Sequence, residues 1–305
     1  MPEVYLVGTG ACLPDHVVSN KDLESKVDTS DDWIVTRTGI RERRIAPPGT
    51  AASDLGVHAG RAALADAGVE ASDLDLIITA TTTPDHVFPS TACVLQNALG
   101  AIRAGAFDLL AACSGFVYGL QMGANAIRSG SARRVLVVGA EVLSTILNWK
   151  DRNTCVLFGD GAGAAVLSDA PGPKGGGRVG VGILGSDGGK PDFAILPAGG
   201  SRRPASAETL EGGLHTIHMR GRELFKVVTV RLAVLVEQTL KRAGIPVSAV
   251  DLMIPHQMNL RILEYLCERL PFPKDRMFVN IDRYGNTSSA SVAIALDEAP
   301  RTGRI

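Results

Sequence analysis

The sequence has no CxxC pair, no HExxH, no GxxxxGK[ST] loop and no excess of charge of one sign. Its five cysteines (Cys12, Cys93, Cys113, Cys155 and Cys267) are odd in number and scattered. That speaks against a disulfide scaffold or a cysteine-based zinc site, and it points to a reducing, cytoplasmic setting. Lys plus Arg total 31 and Asp plus Glu 32, for a formal net charge of −1. A chain whose main partner is nucleic acid or an anionic membrane favours a strongly basic surface, so both classes are disfavoured. A local basic patch is still compatible with the balance. The opening MPEVYLVGTG has no basic stretch before its apolar run and no long signal-type core. The longest apolar stretch, Leu109–Ile127, contains Ser114, Gln121 and Asn125 and reads as a buried helix, not a membrane span. Gly8-Thr9-Gly10 lacks the third glycine of the dinucleotide fingerprint, since position 13 is Leu13. Phe158–Gly163 continues as an apolar strand where that fingerprint would open a helix.

What is present is glycine and α/β alternation. There are 34 glycines in 305 residues, above the usual share of about 7%. Clusters such as Gly159, Gly161 and Gly163 suggest close backbone packing. Hydrophobic residues at 45% and charged residues at 21% exclude general disorder, and the length suggests two domains or two fused halves. Apolar runs predict strands at Val4–Thr9, Leu76–Thr81, Ala106–Ala111, Val135–Gly139, Val156–Leu167, Val179–Leu184, Leu252–Ile254 and Met277–Ile281. Helical patterns cover Ser53–Ala67, Ser90–Leu99, Ser114–Arg128, Gly221–Ala243 and Asn259–Leu270. The Gly/Pro-rich loop Pro171–Gly177 is the expected boundary, giving halves 1–170 and 171–305.

An internal repeat organises these elements. Ala67–Ile78 (AGVEASDLDLII) matches Ala243–Ile254 (AGIPVSAVDLMI) at an offset of 176, with six identities in twelve. Val7-Gly8-Thr9 corresponds loosely to Leu184-Gly185-Ser186. The chain therefore reads as two similar α/β halves. The first half carries two more strands after Cys113. Their counterparts would begin near position 310, so the expectation is a chain running about 25–40 residues further. Otherwise two C-terminal strands are missing and a sheet edge is exposed.

Three residues stand at strand-to-helix corners or strand ends. Cys113, in AFDLLAACSGF, lies where a helix opens. The helix dipole and free N–H groups there would stabilise a thiolate and receive an oxyanion. A buried structural cysteine explains the position equally well. His256 follows the strand Leu252–Ile254, where open α/β sheets place ligands, although a lone histidine is more often a packed or surface residue. Asn286, in RYGNTSSAS, by default reads as a turn or N-cap residue. Cys113 and Asn286 are 173 residues apart, close to the repeat offset, so they occupy equivalent corners. Pseudo-symmetric packing would join them with His256 beside them, giving a thiol and two hydrogen-bonding side chains suited to acyl transfer. Asp28–Arg44 combines Trp33 with several arginines; that suits phosphates and a stacked base, or simply a solvated helix end.

Across essentially the whole chain, Asp28–Arg43, Ala111–Phe116, Phe158–Ala164, Pro255–Arg261 and Tyr284–Ser291 resemble the β-ketoacyl-acyl-carrier-protein synthase III family. The resemblance implies a thiolase-like fold, with pseudo-duplicated βαβαβ halves in an αβαβα arrangement, and a homodimer. It also implies condensation of an acyl-CoA primer, acetyl-CoA in the simplest case, with malonyl-acyl-carrier protein. By the same resemblance Cys113 carries the acyl group, while His256 and Asn286 stabilise the enolate left by decarboxylation. Trp33, Arg37, Arg152 and Asn259 would hold CoA, and Phe88 would cap the partner's acyl pocket. Lys226, Arg261 and Arg269 would meet the acidic carrier protein. CoA is then a substrate, and no metal or resident cofactor is implied.

The sequence departs from that pattern in two places. Arg222 stands where many relatives have a polar amide, and the C-terminal Phe-Gly-Gly-Gly-type turn, source of a second oxyanion N–H, is absent. Three other readings differ in chemistry. A thiolase-fold acyltransferase of secondary metabolism would use an alcohol or amine acceptor. A cysteine hydrolase would share the order Cys, His, Asn but lacks the CGSCW-type signature. A non-catalytic acyl-binding subunit would not need the three polar residues.

Overall fold

A computed structural model describes residues 2–305. The first part of the chain forms β1 (Tyr5–Cys12), β2 (Val17–Ser19), α1 (Asn20–Glu24), α2 (Asp31–Thr38), β3 (Glu42–Arg44), α3 (Ala52–Ala67), β4 (Leu76–Ala80), α4 (Thr91–Leu99) and β5 (Gly105–Leu109). It continues through α5 (Gly115–Arg128), β6 (Arg134–Glu141), β7 (Gly161–Ser168) and β8 (Gly177–Arg178). Then follow β9 (Ala194–Ile195), α6 (Ala207–Glu211), β10 (His218–Met219), α7 (Gly221–Ala243), α8 (Leu260–Arg269), α9 (Ile281–Tyr284) and α10 (Ala290–Arg301).

Six strands form the main sheet in the order β5-β4-β6-β7-β1-β8. β4 pairs in parallel with β5 and β6, so helices α4 and α5 must carry the crossovers. β7 runs antiparallel to both β6 and β1. All eight residues of β7 are buried, because helices cover both faces of the sheet. Ala162, Ala164 and Val166 pack on the α3 side, whereas Ala165 and Leu167 pack on the side of α5 and α10. Ile77, Ile78, Leu136 and Leu167 are fully buried, and each such side chain contributes about 1.5–3 kcal/mol by leaving water.

The repeat is visible in local geometry. Both α3 and α7 end on a left-handed glycine, Gly68 (φ 64°) or Gly244 (φ 70°). Each is followed by a 3-10 turn, Ala71–Asp73 or Val247–Ala249. The five helices expected from the hydrophobic pattern form within a residue at either end, whereas α10, which at 12 residues is longer than α4 or α8, is not among them.

Three expected strands do not form ladders among the described residues. Val179–Leu184 makes one bond, Val179 N–H to the Val4 carbonyl, before the chain leaves the sheet with Val181 and Leu184 exposed. Leu252–Ile254 and Met277–Ile281 meet only at a parallel bridge between Met253 and Met277. Their two bonds run from Met253 N–H to Arg276 and from Phe278 N–H to Met253. With no third strand beside them, apolar sequence alone does not extend the pairing.

Helix α10 belongs by sequence to the second half, yet it lies on β7, β1 and β6. Two glycines permit this. A Cβ on Gly163 would sit 2.5 Å from the Ala293 Cβ, and one on Gly139 would sit 2.4 Å from the Ser289 carbonyl oxygen. No helix is long and apolar enough to cross a membrane among the described residues. Gly139→Ala should lower stability by about 1–3 kcal/mol, because its new atom meets backbone that cannot rotate away. Urea unfolding reads this directly; an unchanged midpoint would refute the close approach.

Candidate active site

The two helices that share one face of the sheet, α5 and α10, both begin without a side-chain cap. The turns ahead of them take up the opening N–H groups instead: Ser114 N–H donates to the Ala111 carbonyl, Gly115 N–H to that of Ala112, Ala290 N–H to that of Thr287 and Ser291 N–H to that of Ser288. Ahead of α5 the backbone turns sharply through Ala112, which has φ 45°, then Cys113. Ahead of α10 it turns through Ser288, with φ 47°. Such φ values are uncommon for residues other than glycine and cost about 1–3 kcal/mol each. The repeat offset of 176 maps Ala112 onto Ser288, and so Cys113 onto Ser289. Asn286 lies in the second corner, as the pattern suggests, but three residues before the position equivalent to Cys113.

The corners touch: Cys113 Sγ is 3.7 Å from Ser288 Oγ. The Ser288 N–H donates to Asn286 Oδ1 at 2.8 Å. This fixes the amide, leaving Nδ2 without a partner among the described residues. The Asn286 backbone is clamped by Phe158-Gly159: Asn286 N–H donates to the Leu157 carbonyl and Gly159 N–H to that of Asn286. His256 joins through α10, where its Nδ1 is 2.9 Å from Ser291 Oγ. Its Nε2 is buried without a hydrogen-bond partner. Gln257 secures the histidine's backbone, donating to the Pro255 and Phe278 carbonyls and accepting from Asn280 N–H. The three residues singled out by sequence are thus linked through two serines of one turn, Ser288 and Ser291.

Burial decides their charge. Desolvation pushes the Cys113 thiol up to about 11, with the Ser288 hydrogen bond opposing it. Desolvation thus works against the thiolate stabilisation expected from the helix dipole. Burial likewise lowers His256 to about 4, so it is a neutral imidazole near pH 7.

Sequence reading missed Glu141, at the end of β6. Its carboxylate accepts from Thr82 N–H, Thr82 Oγ1 and Thr83 Oγ1, and it meets Ser289 Oγ at 2.8 Å. Ser289 Oγ also lies 2.8 Å from the Ala80 carbonyl. One hydroxyl proton cannot serve both oxygens. The set is satisfied when Glu141 is protonated and donates to Ser289, consistent with burial raising this carboxyl. The available signal was an acid closing an otherwise apolar strand, VLVVGAE.

The proposed CoA residues form a second cluster. Trp33, in the first turn of α2, is held by its N–H to Ser30 Oγ. The guanidinium groups of Arg37 and Arg152 lie 4.8 and 5.1 Å from its ring centroid. Arg152 also donates to Asp28. Asn259 caps α8 through Arg261 N–H and donates to the Arg37 carbonyl, so it docks α2 on α8 with both ends of its amide. Phe88 is 84% exposed beside Val87 on the loop before α4. Lys226 of α7 and Arg261 and Arg269 of α8 are exposed, and Arg261 stacks on Phe225. No group of three His, Cys, Asp or Glu side chains able to hold a metal occurs among the described residues.

Two family models match: 3-oxoacyl-[acyl-carrier-protein (ACP)] synthase III over residues 107–188 and its C-terminal counterpart over residues 240–305. The β-ketoacyl-[acyl-carrier-protein] synthase III of Caldanaerobacter subterraneus subsp. tengcongensis is 54% identical, over 98% of this chain and 90% of the relative. That of Roseiflexus castenholzii is 52% identical, with the same two coverages. Among solved structures, the synthase III of Pseudomonas aeruginosa superposes with a TM-score of 0.90 at 38% identity, covering 99% of this chain and 90% of that one. The Aquifex aeolicus enzyme gives 0.83 at 43%, covering 99% and 92%. These matches establish the thiolase-like α/β fold.

Two predictions follow from burial. His256 has a folded pKa near 4 against 6.5, so the unfolded chain binds more protons between those values and stability falls as pH drops through that window. The wild type should lose about 2 kcal/mol more than His256→Gln between pH 7 and pH 5; parallel curves would count against a buried neutral ring. Glu141→Gln should keep near-native stability because its amide N–H replaces the acid's donor, whereas Glu141→Ala should lose about 1–3 kcal/mol. Equal losses would show that Glu141 is ionised.

Proposed function

The chain belongs to the β-ketoacyl-[acyl-carrier-protein] synthase III family, the priming condensing enzymes of type II fatty-acid synthesis, and we propose that Cys113, His256 and Asn286 carry its acyltransferase reaction. The substrates are an acyl-CoA, for which we take acetyl-CoA, and malonyl-acyl-carrier protein. Cys113 sulfur attacks the acyl-CoA carbonyl; the carbon–sulfur bond to CoA breaks, and CoA leaves with the thiol's proton. The Cys113 N–H, in the turn ahead of α5, holds the oxyanion. Malonyl thioester then loses carbon dioxide, and the electron pair forms an enolate whose oxygen accepts from His256 Nε2–H and Asn286 Nδ2–H. The enolate carbon attacks the acyl-enzyme, the bond to Cys113 sulfur breaks, the departing thiolate takes a proton from water, and a 3-ketoacyl-acyl-carrier protein leaves. Decarboxylation supplies the carbanion, so this sequence calls for no metal or redox cofactor.

The observation that carries the reading is the pair of free donors. Asn286 Oδ1 is consumed by Ser288, which leaves Nδ2 to donate, and His256 Nε2 is buried with nothing to bond. A neutral His256 also suits the role, since a donor that keeps its proton stabilises the enolate without quenching the carbon nucleophile.

The supporting assignments follow from placement. Trp33 and Arg152 would take the adenine between them, Arg37 the phosphates, and Asn259 would hold these elements in register. Lys226, Arg261 and Arg269 would offer the acidic carrier protein its local basic surface. We read the division as halves of residues 1–170 and 171–305, and the setting as cytoplasmic, in keeping with five free cysteines. A homodimer is supported by the edge position of β5 and by exposed Phe88, Ile102 and Leu110 beside it. Phe88 would then enter the partner's acyl pocket.

Cys113→Ala should take up no acetyl group from acetyl-CoA, as read by intact mass. His256→Ala and Asn286→Ala should still acylate but condense roughly 10²–10³-fold more slowly. Condensation at the normal rate in His256→Ala would contradict its role.

A further inference from the structure

Ser291, in the first turn of α10, is 2% exposed. Its Oγ accepts from Gln257 N–H at 2.7 Å and lies 2.9 Å from His256 Nδ1. A serine hydroxyl has one proton to give and two lone pairs to receive with. The backbone N–H of Gln257 can only donate, so it occupies one lone pair. Among the described residues, His256 Nδ1 is the only acceptor within hydrogen-bond distance of that hydroxyl proton.

Two arrangements of the neutral imidazole are conceivable. With the ring proton on Nδ1, the histidine would donate to Ser291, leave the buried serine proton without an acceptor, and turn a bare Nε2 lone pair toward the site. With the proton on Nε2, serine donates to Nδ1 and every group in the cluster is paired. Nε2, the one buried ring atom still without a partner, then offers a proton. Unsatisfied buried polar groups are costly, and the second arrangement leaves only the one that a substrate would satisfy.

We propose that Ser291 is a positioning residue that selects the Nε2–H tautomer of His256 and thereby makes it a donor to the malonyl thioester oxygen. The proposal rests on the reading of His256 given above. It assigns a task to a serine that touches no reacting atom, and it predicts an effect on one half of the reaction only. Acyl transfer to Cys113 does not use the ring proton, whereas decarboxylation does. The same turn thus divides its labour: Ser288 faces the thiol, Ser289 faces Glu141, and Ser291 faces the imidazole.

The test combines spectroscopy with the separated half-reactions in the whole enzyme. In protein labelled with 15N-histidine, the His256 signals, identified by their loss in His256→Gln, should show a protonated Nε2 and a bare Nδ1 above pH 5. Ser291→Ala should lose that preference. It should still take up acetyl from acetyl-CoA within about twofold of wild type, while decarboxylation of malonyl-acyl-carrier protein falls roughly 10- to 100-fold, the range typical of lost supporting hydrogen bonds. Ser291→Thr, which keeps the hydroxyl, should restore the tautomer and most of the rate. A wild-type spectrum with the proton on Nδ1 would overturn the proposal even if Ser291→Ala failed to fold. So would unimpaired decarboxylation in a folded Ser291→Ala enzyme. Normal decarboxylation in His256→Ala, which removes the donor outright, would sink the donor reading itself, and the ring spectrum tells that failure apart from a failure of Ser291 to set the tautomer.

Discussion

A carboxyl group without access to water closes β6, and the placement of the reactive corners depends on it. Glu141 draws in the backbone and hydroxyl of Thr82, the hydroxyl of Thr83 and the hydroxyl of Ser289. Those partners come from the end of β4 and from the start of α10, two segments far apart in sequence. Burying a carboxyl is unfavourable unless each of its oxygens is satisfied, so the group tolerates few positions of its neighbours. Gly139, two residues earlier, removes the side chain that would keep α10 away. The acid and the glycine together bring the second helix onto the first half's sheet, and only then can Asn286 and His256 face Cys113.

The chemistry at the site runs on neutral groups. A thiol raised by desolvation and an imidazole that stays unprotonated over the physiological range share one cause, the partial withdrawal of both side chains from water. Amide and imidazole N–H groups offer partial charge but no full charge. Enolates and oxyanions form and vanish within a cycle, and donors already aimed at them need no reorganisation when the charge appears.

How much of this the sequence reveals depends on range. Helices α3, α5, α7 and α8 follow from periodicity, and Cys113, His256 and Asn286 from motifs and from the repeat, because the relevant signals lie within a few neighbouring residues. The cross-sheet contacts do not. Nothing local marks Glu141 as the partner of Ser289, since 148 residues separate them. The sharp backbone at Ala112 is invisible in an alanine. Nor does apolar sequence tell a ladder from a single bridge, so Leu252–Ile254 and Met277–Ile281 look like strands and pair only once. A helix dipole at Cys113 can be read from sequence position, whereas desolvation depends on what the rest of the chain packs around the sulfur.

Ser289 occupies in the second corner the place that Cys113 holds in the first. Its hydroxyl is locked between Ala80 and Glu141, so duplication has left one corner chemically open and the other plugged. A chain with a single covalent seat cannot hold both thioesters at once as acyl-enzymes. On the proposed role of Cys113 the two thioesters would visit in succession, ping-pong fashion, and the asymmetry behind this is as small as which of two equivalent side chains is free to react.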